Sequence, residues 1–421
     1  MEQTSFFWFR RDLRLEDNTA LFEALKGNKK VIPVFIFDES ILDELEKDDA
    51  RISFIYSSLE SINTKLLSHG SSILCLKGNP LNVWSSLSNE FNIDKVYLNK
   101  DYEPYAIKRD QEVKEVLERK GVQVLKFKDQ VIFEENEIIK NDGLPYTIYT
   151  PYKNKWLKEY KRTPLMPEIT FANFYKKDFP FPSLEQLGFV VSSIVVKGYD
   201  ISVADDYEKT RDFPALDSTS YLSPHLRFGT ISVRQVISKL KKSNQVFVSE
   251  LIWREFFMQI MYHFPKVVSN NFRSKYDGIQ WRDDESDFEK WCLGKTGYPM
   301  VDAGMRQLNK TGYMHNRVRM ITAGFLCKHL LIDWKWGEAY FASKLLDYEL
   351  SSNNGNWQWA AGTGCDAAPY FRIFNPSAQL KKFDKNLNYV KRLIPEYGTN
   401  EYPEPILSLI HISEPTRQEA I

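Results

Sequence analysis

Along the first 130 residues, short apolar runs alternate with stretches in which apolar side chains recur every third or fourth position. Residues 5–9, 31–37, 72–76, 95–98 and 122–127 are apolar runs of strand length. Residues 50–67 and 106–119 carry the helical period, and Gly121 follows the second as a stop signal. Strand and helix alternating at this spacing predict a doubly wound parallel sheet with helices on both faces. From 131 to 200 the period weakens and prolines intervene (Pro145, Pro151, Pro164, Pro167, Pro180 and Pro182), which reads as a connector crossing the surface. From 201 to 406 the helical period takes over, most clearly at 248–264, 298–308, 315–331 and 336–346. The expected architecture is α/β plus all-α: a parallel-sheet domain over 1–130, an inter-domain connector over 131–200 and a helical domain over 201–406.

Residues 407–421 break this pattern. LSLIHISEPTR resembles the in-frame translation of an adapter used to prepare sequencing libraries, so the stretch is read as a non-native tail and set apart from the fold. Acidic and basic residues balance, 56 against 56, so any nucleic acid would be held by a local groove and not by a global field. Aromatic side chains make up 14% of the chain, and the tryptophans gather towards the C-terminal half. The cysteines (Cys75, Cys292, Cys327 and Cys365) lack CxxC spacing, which points away from a disulfide framework and a zinc site; no bound metal is expected. No apolar run approaches the roughly 20 residues of a membrane helix, and no signal-peptide pattern opens the chain. A soluble cytoplasmic protein is expected.

Several segments carry candidate chemistry. Glu250 and Trp253 are three apart in a helical pattern, and Asn316 and Met320 four apart in another, so each pair shares a helix face. A carboxyl, an amide, an indole and a thioether suit a pocket for a flat hydrogen-bonding base; core packing is the competing reading. The stretch 347–359 holds two acids, several amides and two indoles; turn chemistry at Asn354-Gly355 is the alternative there. Thr219 to Ser223 precede a helix-like stretch and could bind phosphate or simply cap it. Arg211, Arg317, Lys381, Lys382 and Lys385, with connector cations Lys153, Lys155, Lys158, Lys161 and Arg162, suit a nucleic-acid groove or a solvated face.

Taken in order, WFRRDLRLEDN (8–18), ELIWREF (250–256), KTGYP (295–299), MHNRVRM (314–320), LLIDW (330–334), NNGNWQW (353–359) and DAAPYFRIFNP (366–376) resemble the photolyase and cryptochrome family, and within it the class I cyclobutane pyrimidine dimer enzymes. The resemblance covers essentially all of 1–406. It implies one FAD in the helical domain, with Tyr207, Thr219, Ser220, Tyr221, Leu222, Ser223, Phe247, Arg319, Asp347, Tyr348, Glu349 and Asn353 at cofactor positions. Many relatives carry Asp where this chain has Glu349. Asn353 matches the residue facing flavin N5, and Arg319 is expected to pair with Asp347. The catalytic set implied is Glu250, Trp253, Asn316, Met320, Asn353 and Trp359, lining a pocket for a flipped-out lesion. Trp357, Trp334 and Trp281 match an electron chain to the surface. Glu250, Trp253, Asn316, Arg211, Arg317, Gln379 and Lys382 match DNA contacts.

The activity implied is light-driven: photoexcited reduced FAD gives an electron to a pyrimidine dimer extruded from UV-damaged DNA, the cyclobutane opens, and the electron returns. The tryptophans would only restore oxidised flavin. Six-four photoproduct repair is a second enzyme reading, but relatives with that activity use a histidine pair where this chain has Asn316 and Met320. A cryptochrome-type light receptor is the reading from another class. Relatives also hold an antenna chromophore in the α/β domain; the segment 101–106 lacks the Asn-Glu pair that holds folate in some, so no particular antenna is expected. A monomer associated with the nucleoid completes the expectation.

Overall fold

The computed structural model describes residues 3–27, 29–367, 369 and 372–407. By contact the chain divides into two units. The first comprises Met1–Tyr146, Thr150–Ile201 and Tyr221–His263; the second comprises Thr147–Tyr149, Ser202–Ser220 and the chain from 264 onward.

In the first unit β1 (Thr4–Phe9), β2 (Lys30–Asp38), β3 (Leu74–Gly78), β4 (Ile93–Asn99) and β5 (Gln123–Phe127) pair in the order β3-β2-β1-β4-β5, every pair parallel. Every residue of β1 is buried, as a strand covered on both faces requires. Its side chains alternate between two cores. Phe7 and Phe9 join Val31 and Phe35 in one, and Phe6 and Trp8 join Ile32 and Val34 in the other. Helices α1 (Thr19–Lys26), α2 (Ala50–Leu67), α3 (Pro80–Glu90) and α4 (Pro104–Glu118) complete the expected alternation. α4 begins two residues before its apolar period, because Pro104 pre-sets the first helical φ.

The opening motif builds this fold. Asn18 caps α1 by accepting from the Leu21 N–H at 3.2 Å. Asn99 at the end of β4 donates to Asp12 Oδ2 at 2.6 Å and Asn18 Oδ1 at 2.9 Å. Arg14 and Arg234 share the buried carboxylate of Asp129 at 2.5 and 2.7 Å, so that carboxylate is not buried alone.

Within the stretch expected as an irregular connector the chain forms α5 (Tyr149–Glu159). The unit closes with α6 (Leu222–Phe228), α7 (Val233–Lys239) and α8 (Gln245–His263). The loop at 130–135 lacks ladder partners, and α8 supplies them. Glu255 accepts from the Ile132 N–H at 2.7 Å, the Phe133 N–H at 3.1 Å and Trp156 Nε1 at 2.6 Å. Arg254 donates to Gln130 O at 2.9 Å and Gln259 to Glu134 O at 2.8 Å. Burial pushes the Glu255 carboxyl up to about 7, while those donors pull it back towards the ionised form.

The second unit is helical: α9 (Glu285–Leu293), α10 (Pro299–Thr311), α11 (Asn316–Lys328), α12 (Trp334–Lys344), α13 (Leu350–Ala361), α14 (Pro376–Phe383) and α15 (Asn388–Leu393). Trp291, Met300, Val318, Leu326, Trp334 and Trp357 lie in its core. A side chain at Gly337 on α12 would place Cβ 2.1 Å from the Trp357 ring, so α12 and α13 approach only because that position is glycine.

One alternative weighed for the sequence is not realised. Asn354-Gly355 is no turn; it lies inside α13. Asn354 is buried and donates to Val267 O at 2.8 Å, so a tertiary partner overrides its turn preference. Leu407, the first residue of the stretch set aside as non-native, packs against the helical core, and its carbonyl accepts from the Tyr298 hydroxyl at 2.6 Å. The rest of that tail lies outside the described residues, as do Ala368, Tyr370 and Phe371 of the DAAPYFRIFNP motif. Among the described residues no helix is long and apolar enough to cross a membrane.

Candidate active site

Of the cofactor, pocket, electron-chain and DNA-contact residues that the resemblance implies, Tyr221, Leu222, Ser223, Phe247, Glu250 and Trp253 belong to the first unit and the others to the second. In the first unit α8 carries Phe247, Glu250 and Trp253, with Phe247 buried and the other two half-buried. The Trp253 indole stacks on Phe257 with centroids 5.4 Å apart and meets Phe256 edge-on at 5.6 Å, which holds its plane. Tyr221 enters α6 in the left-handed region, φ 51°, a strained conformation for a tyrosine. Lys197 holds it there, with Nζ 2.8 Å from the phenolic oxygen and 4.1 Å from the ring centroid. Leu222 is buried and Ser223 exposed.

In the second unit the first turn of α11 carries Asn316, Arg317, Arg319 and Met320. His315 caps that helix, its Nδ1 accepting from the Arg317 N–H at 3.2 Å, and burial lowers its pKa to about 4. Arg319 grips Asp347 with both Nη atoms, at 3.2 and 2.9 Å, and donates from Nε to Met314 O at 2.8 Å. The expected pairing is present, as a two-bond fork. Arg317 instead bonds Asp212, a partner the sequence did not suggest. Arg211 lies over the Tyr207 ring, 5.2 Å from its centroid.

At the start of α13, Glu349 is buried and accepts from Ser352 Oγ at 2.9 Å. Asn353 one turn on gives both amide hydrogens to Glu338 of α12, at 2.8 Å to Oε1 and 3.1 Å to its backbone O. Both partners are acceptors, so this edge of Asn353 is its NH2, and Oδ1 is what the side chain has to offer. Glu338 was missed in the sequence, where nothing local marks it; burial raises its pKa. The other amides of NNGNWQW are structural. Gln358 donates to Val267 O at 3.0 Å and accepts from the Phe272 N–H at 2.8 Å.

The three tryptophans of the expected electron chain all pack in or against the core of this unit. Trp357 is 2% exposed and meets Phe341 edge-on at 5.0 Å; Trp334 is 1% exposed and donates to Asn271 Oδ1 at 2.9 Å; Trp281 and Trp359 are half-buried. Gln379 and Lys382 stand on α14.

The donors and acceptors of the second unit suit a flavin dinucleotide. Carboxylates at 347 and 349 can take N–H and ribose hydroxyl donors, Asn353 Oδ1 can take a ring N–H, and the hydroxyls of Thr219 and Ser220 can meet a pyrophosphate.

Residues 247–418 match the family model described as the FAD binding domain of DNA photolyase, and residues 5–170 match the one described as DNA photolyase. Among curated proteins, the chain is 35% identical to the deoxyribodipyrimidine photo-lyase of Synechococcus sp., over 96% of this chain and 90% of that one. It is 37% identical to the protein of that name from Halobacterium salinarum, over 93% and 89%. Among solved structures, an archaeal photolyase from Sulfolobus tokodaii with two FAD molecules aligns with TM-score 0.87 at 36% identity, covering 100% of this chain and 99% of that one. A bacterial class III photolyase from Agrobacterium tumefaciens gives TM-score 0.87 at 34% identity over 98% and 96%, and a Synechocystis cryptochrome 0.85 at 25% over 99% and 98%. With a parallel five-stranded sheet followed by a helical FAD-binding domain, and relatives above a third identical along nearly its whole length, this chain belongs to the DNA photolyase/cryptochrome family.

Proposed function

We propose that this protein repairs cyclobutane pyrimidine dimers in UV-damaged DNA by light-driven electron transfer, as a class I enzyme holding one FAD. The observation that carries this reading is the 35–37% identity, along more than nine-tenths of the chain, to proteins named deoxyribodipyrimidine photo-lyase. The pairing of Asn316 with Met320 on one helix face supports a dimer substrate over the six-four photoproduct, whose repair enzymes carry histidines there.

Tyr207, Thr219 to Ser223, Phe247, Arg319, Asp347, Tyr348, Glu349 and Asn353 would hold the FAD. Bound in its reduced form and excited by light, FAD would supply the electron that opens the cyclobutane ring and would take it back afterwards, with no net redox change. Asn353 Oδ1 is an acceptor suited to a reduced ring's N5–H, and it is no proton donor. Glu250 stabilises negative charge developing on a pyrimidine carbonyl, as an oxyanion site does. Trp253 and Trp359 offer faces for stacking. A dimer pairs and stacks poorly, so extruding it costs less than extruding an intact base, which is one source of selectivity. Arg211, Arg317, Gln379 and Lys382 hold phosphates without reading sequence, and Trp357, Trp334 and Trp281 pass electrons inward from the surface.

A second, light-harvesting chromophore fits the carboxyl end of the sheet, where strand order switches between β1 and β4. Tyr105 donates there to Asp38 Oδ2 at 2.6 Å, and Arg109 lies 5.1 Å from the Trp8 ring. The Sulfolobus tokodaii relative is described with two FAD molecules, with the implication of a novel light-harvesting cofactor.

The test is repair of an oligonucleotide carrying one thymine dimer, under near-ultraviolet or blue light and in the dark. Dimer loss only under light is expected. A protein that binds FAD yet leaves dimers intact when illuminated would be the light receptor instead.

A further inference from the structure

Three chain segments of the second unit meet at the ring of Phe383, the last residue of α14, which is 6% exposed. From α11, the Arg317 guanidinium lies over that ring, 4.7 Å from its centroid. From α14, Lys382 Nζ lies 5.1 Å from the same centroid. From the segment after Tyr207–Thr210, Phe213 approaches it at 6.5 Å and 67°. The residue before Phe213 is Asp212, whose Oδ1 accepts from Arg317 Nη2 at 2.5 Å and from Nε at 3.2 Å. Nη1 stands 3.7 Å from the Met320 sulfur, one turn along α11.

We infer that Asp212 and Phe383 form a socket that fixes Arg317, and that this socket sets how strongly the protein discriminates damaged from undamaged DNA. The inference rests on the reading of Arg317 as a phosphate contact. A guanidinium binds phosphate best by presenting a flat edge, and a free arginine loses much rotamer freedom in doing so. Here Asp212 occupies the Nε–Nη2 edge and the Phe383 ring fixes the plane, so the guanidinium's remaining N–H donors are held in place before DNA arrives. Pairing also cancels the arginine's charge at a distance, which weakens the sequence-independent attraction that dominates binding to ordinary duplex. An ordinary duplex meets a neutral pair, whereas a strand kinked around an extruded lesion can set one phosphate against the aimed donor. Because Arg317 also touches Met320, a lesion-pocket position, phosphate seating and pocket wall are mechanically joined.

The test compares dissociation constants of the flavin-loaded full chain for duplexes with and without one thymine dimer, over a salt series. Asp212→Asn is expected to tighten binding to the undamaged duplex about threefold to tenfold, with a log–log salt slope steeper by about 0.9. Binding to the damaged duplex changes less, so the ratio between the two falls. Combined with Arg317→Ala, Asp212→Asn has no further effect on the ratio. Phe383→Leu lowers the ratio and Phe383→Tyr restores it. A ratio unmoved by Asp212→Asn would overturn the inference, as would an equal change with and without Arg317, which would make Asp212 a bare repelling charge. If Arg317→Ala alone leaves both duplexes and their salt slopes untouched, the phosphate-contact reading itself falls, and the inference with it.

Discussion

The His315 imidazole can cap α11 only while Nδ1 is unprotonated, because that nitrogen accepts from the Arg317 N–H. Burial opposes its protonation most strongly, Asp212 favours it, and Arg317, Arg319 and Arg211 add to the opposition, so the ring stays neutral down to about pH 4. The folded-state pKa lies below the ordinary 6.5. Stability from this residue is therefore complete above about pH 6.5 and is lost as pH falls towards 4, by about 3 kcal/mol in all. His315→Asn keeps a capping side chain and removes the titration. Denaturant unfolding at pH 7 and pH 4 should show that loss in the wild type and not in the variant; matching pH slopes would exclude it. Glu338 acts on Asn353 in a comparable way. Glu338→Ala frees the Asn353 amide to turn, and the bound flavin's reduction potential should drop by about 10–30 mV, the worth of one hydrogen bond. Titration with redox dyes measures this, and an unchanged potential would mean that Asn353 keeps its orientation without Glu338.

Helices α12 and α13 meet where Gly337 faces Trp357, and an added methyl would also lie 2.6 Å from Leu326 on α11. Gly337→Ala is expected to destabilise the protein by about 1–3 kcal/mol through overpacking, although alanine is the better helix former. Thermal unfolding tests it, and a stabilised variant would show that the helices separate at no cost. The same contact orients Trp357, so its near-ultraviolet circular dichroism should change with the melting point. α8 is an element of another kind. Its own spacing placed Glu250 and Trp253 on one face, but its position is set by Glu255, Arg254 and Gln259 reaching the 130–135 loop.

For the whole molecule, the balance of 56 basic and 56 acidic residues makes DNA binding a local matter. Of the proposed phosphate contacts, Arg211, Arg317 and Lys382 carry charge, and Lys382 is exposed. With Arg317 paired to Asp212, the two neutralised phosphates of an undamaged duplex correspond to a log–log salt slope of about −1.8. A measured slope far steeper than this would bring in the cations of α5 and its C-terminal end, Lys153, Lys155, Lys158, Lys161 and Arg162, which are otherwise a solvated face.

Local pattern determined a good deal. The alternation of periods predicted a parallel sheet followed by helices, because periodicity and burial are written in neighbouring side chains. Spacing alone put Glu250 with Trp253 and Asn316 with Met320, since a helix brings such positions to one face whatever surrounds it. Motif order carried the family. Tertiary structure decided what those side chains touch. Asp212 and Arg317 are 105 positions apart, and Glu255 and Ile132 123 apart. Nothing in either neighbourhood marks the pairing, because a buried polar group finds its partner only when the chain has collapsed around it. The same collapse made Asn354-Gly355 helix, where the residue pair by itself offers turn chemistry as an alternative. Val267, far away in the chain, offered its carbonyl to the asparagine, and a buried hydrogen bond outweighs a local turn preference.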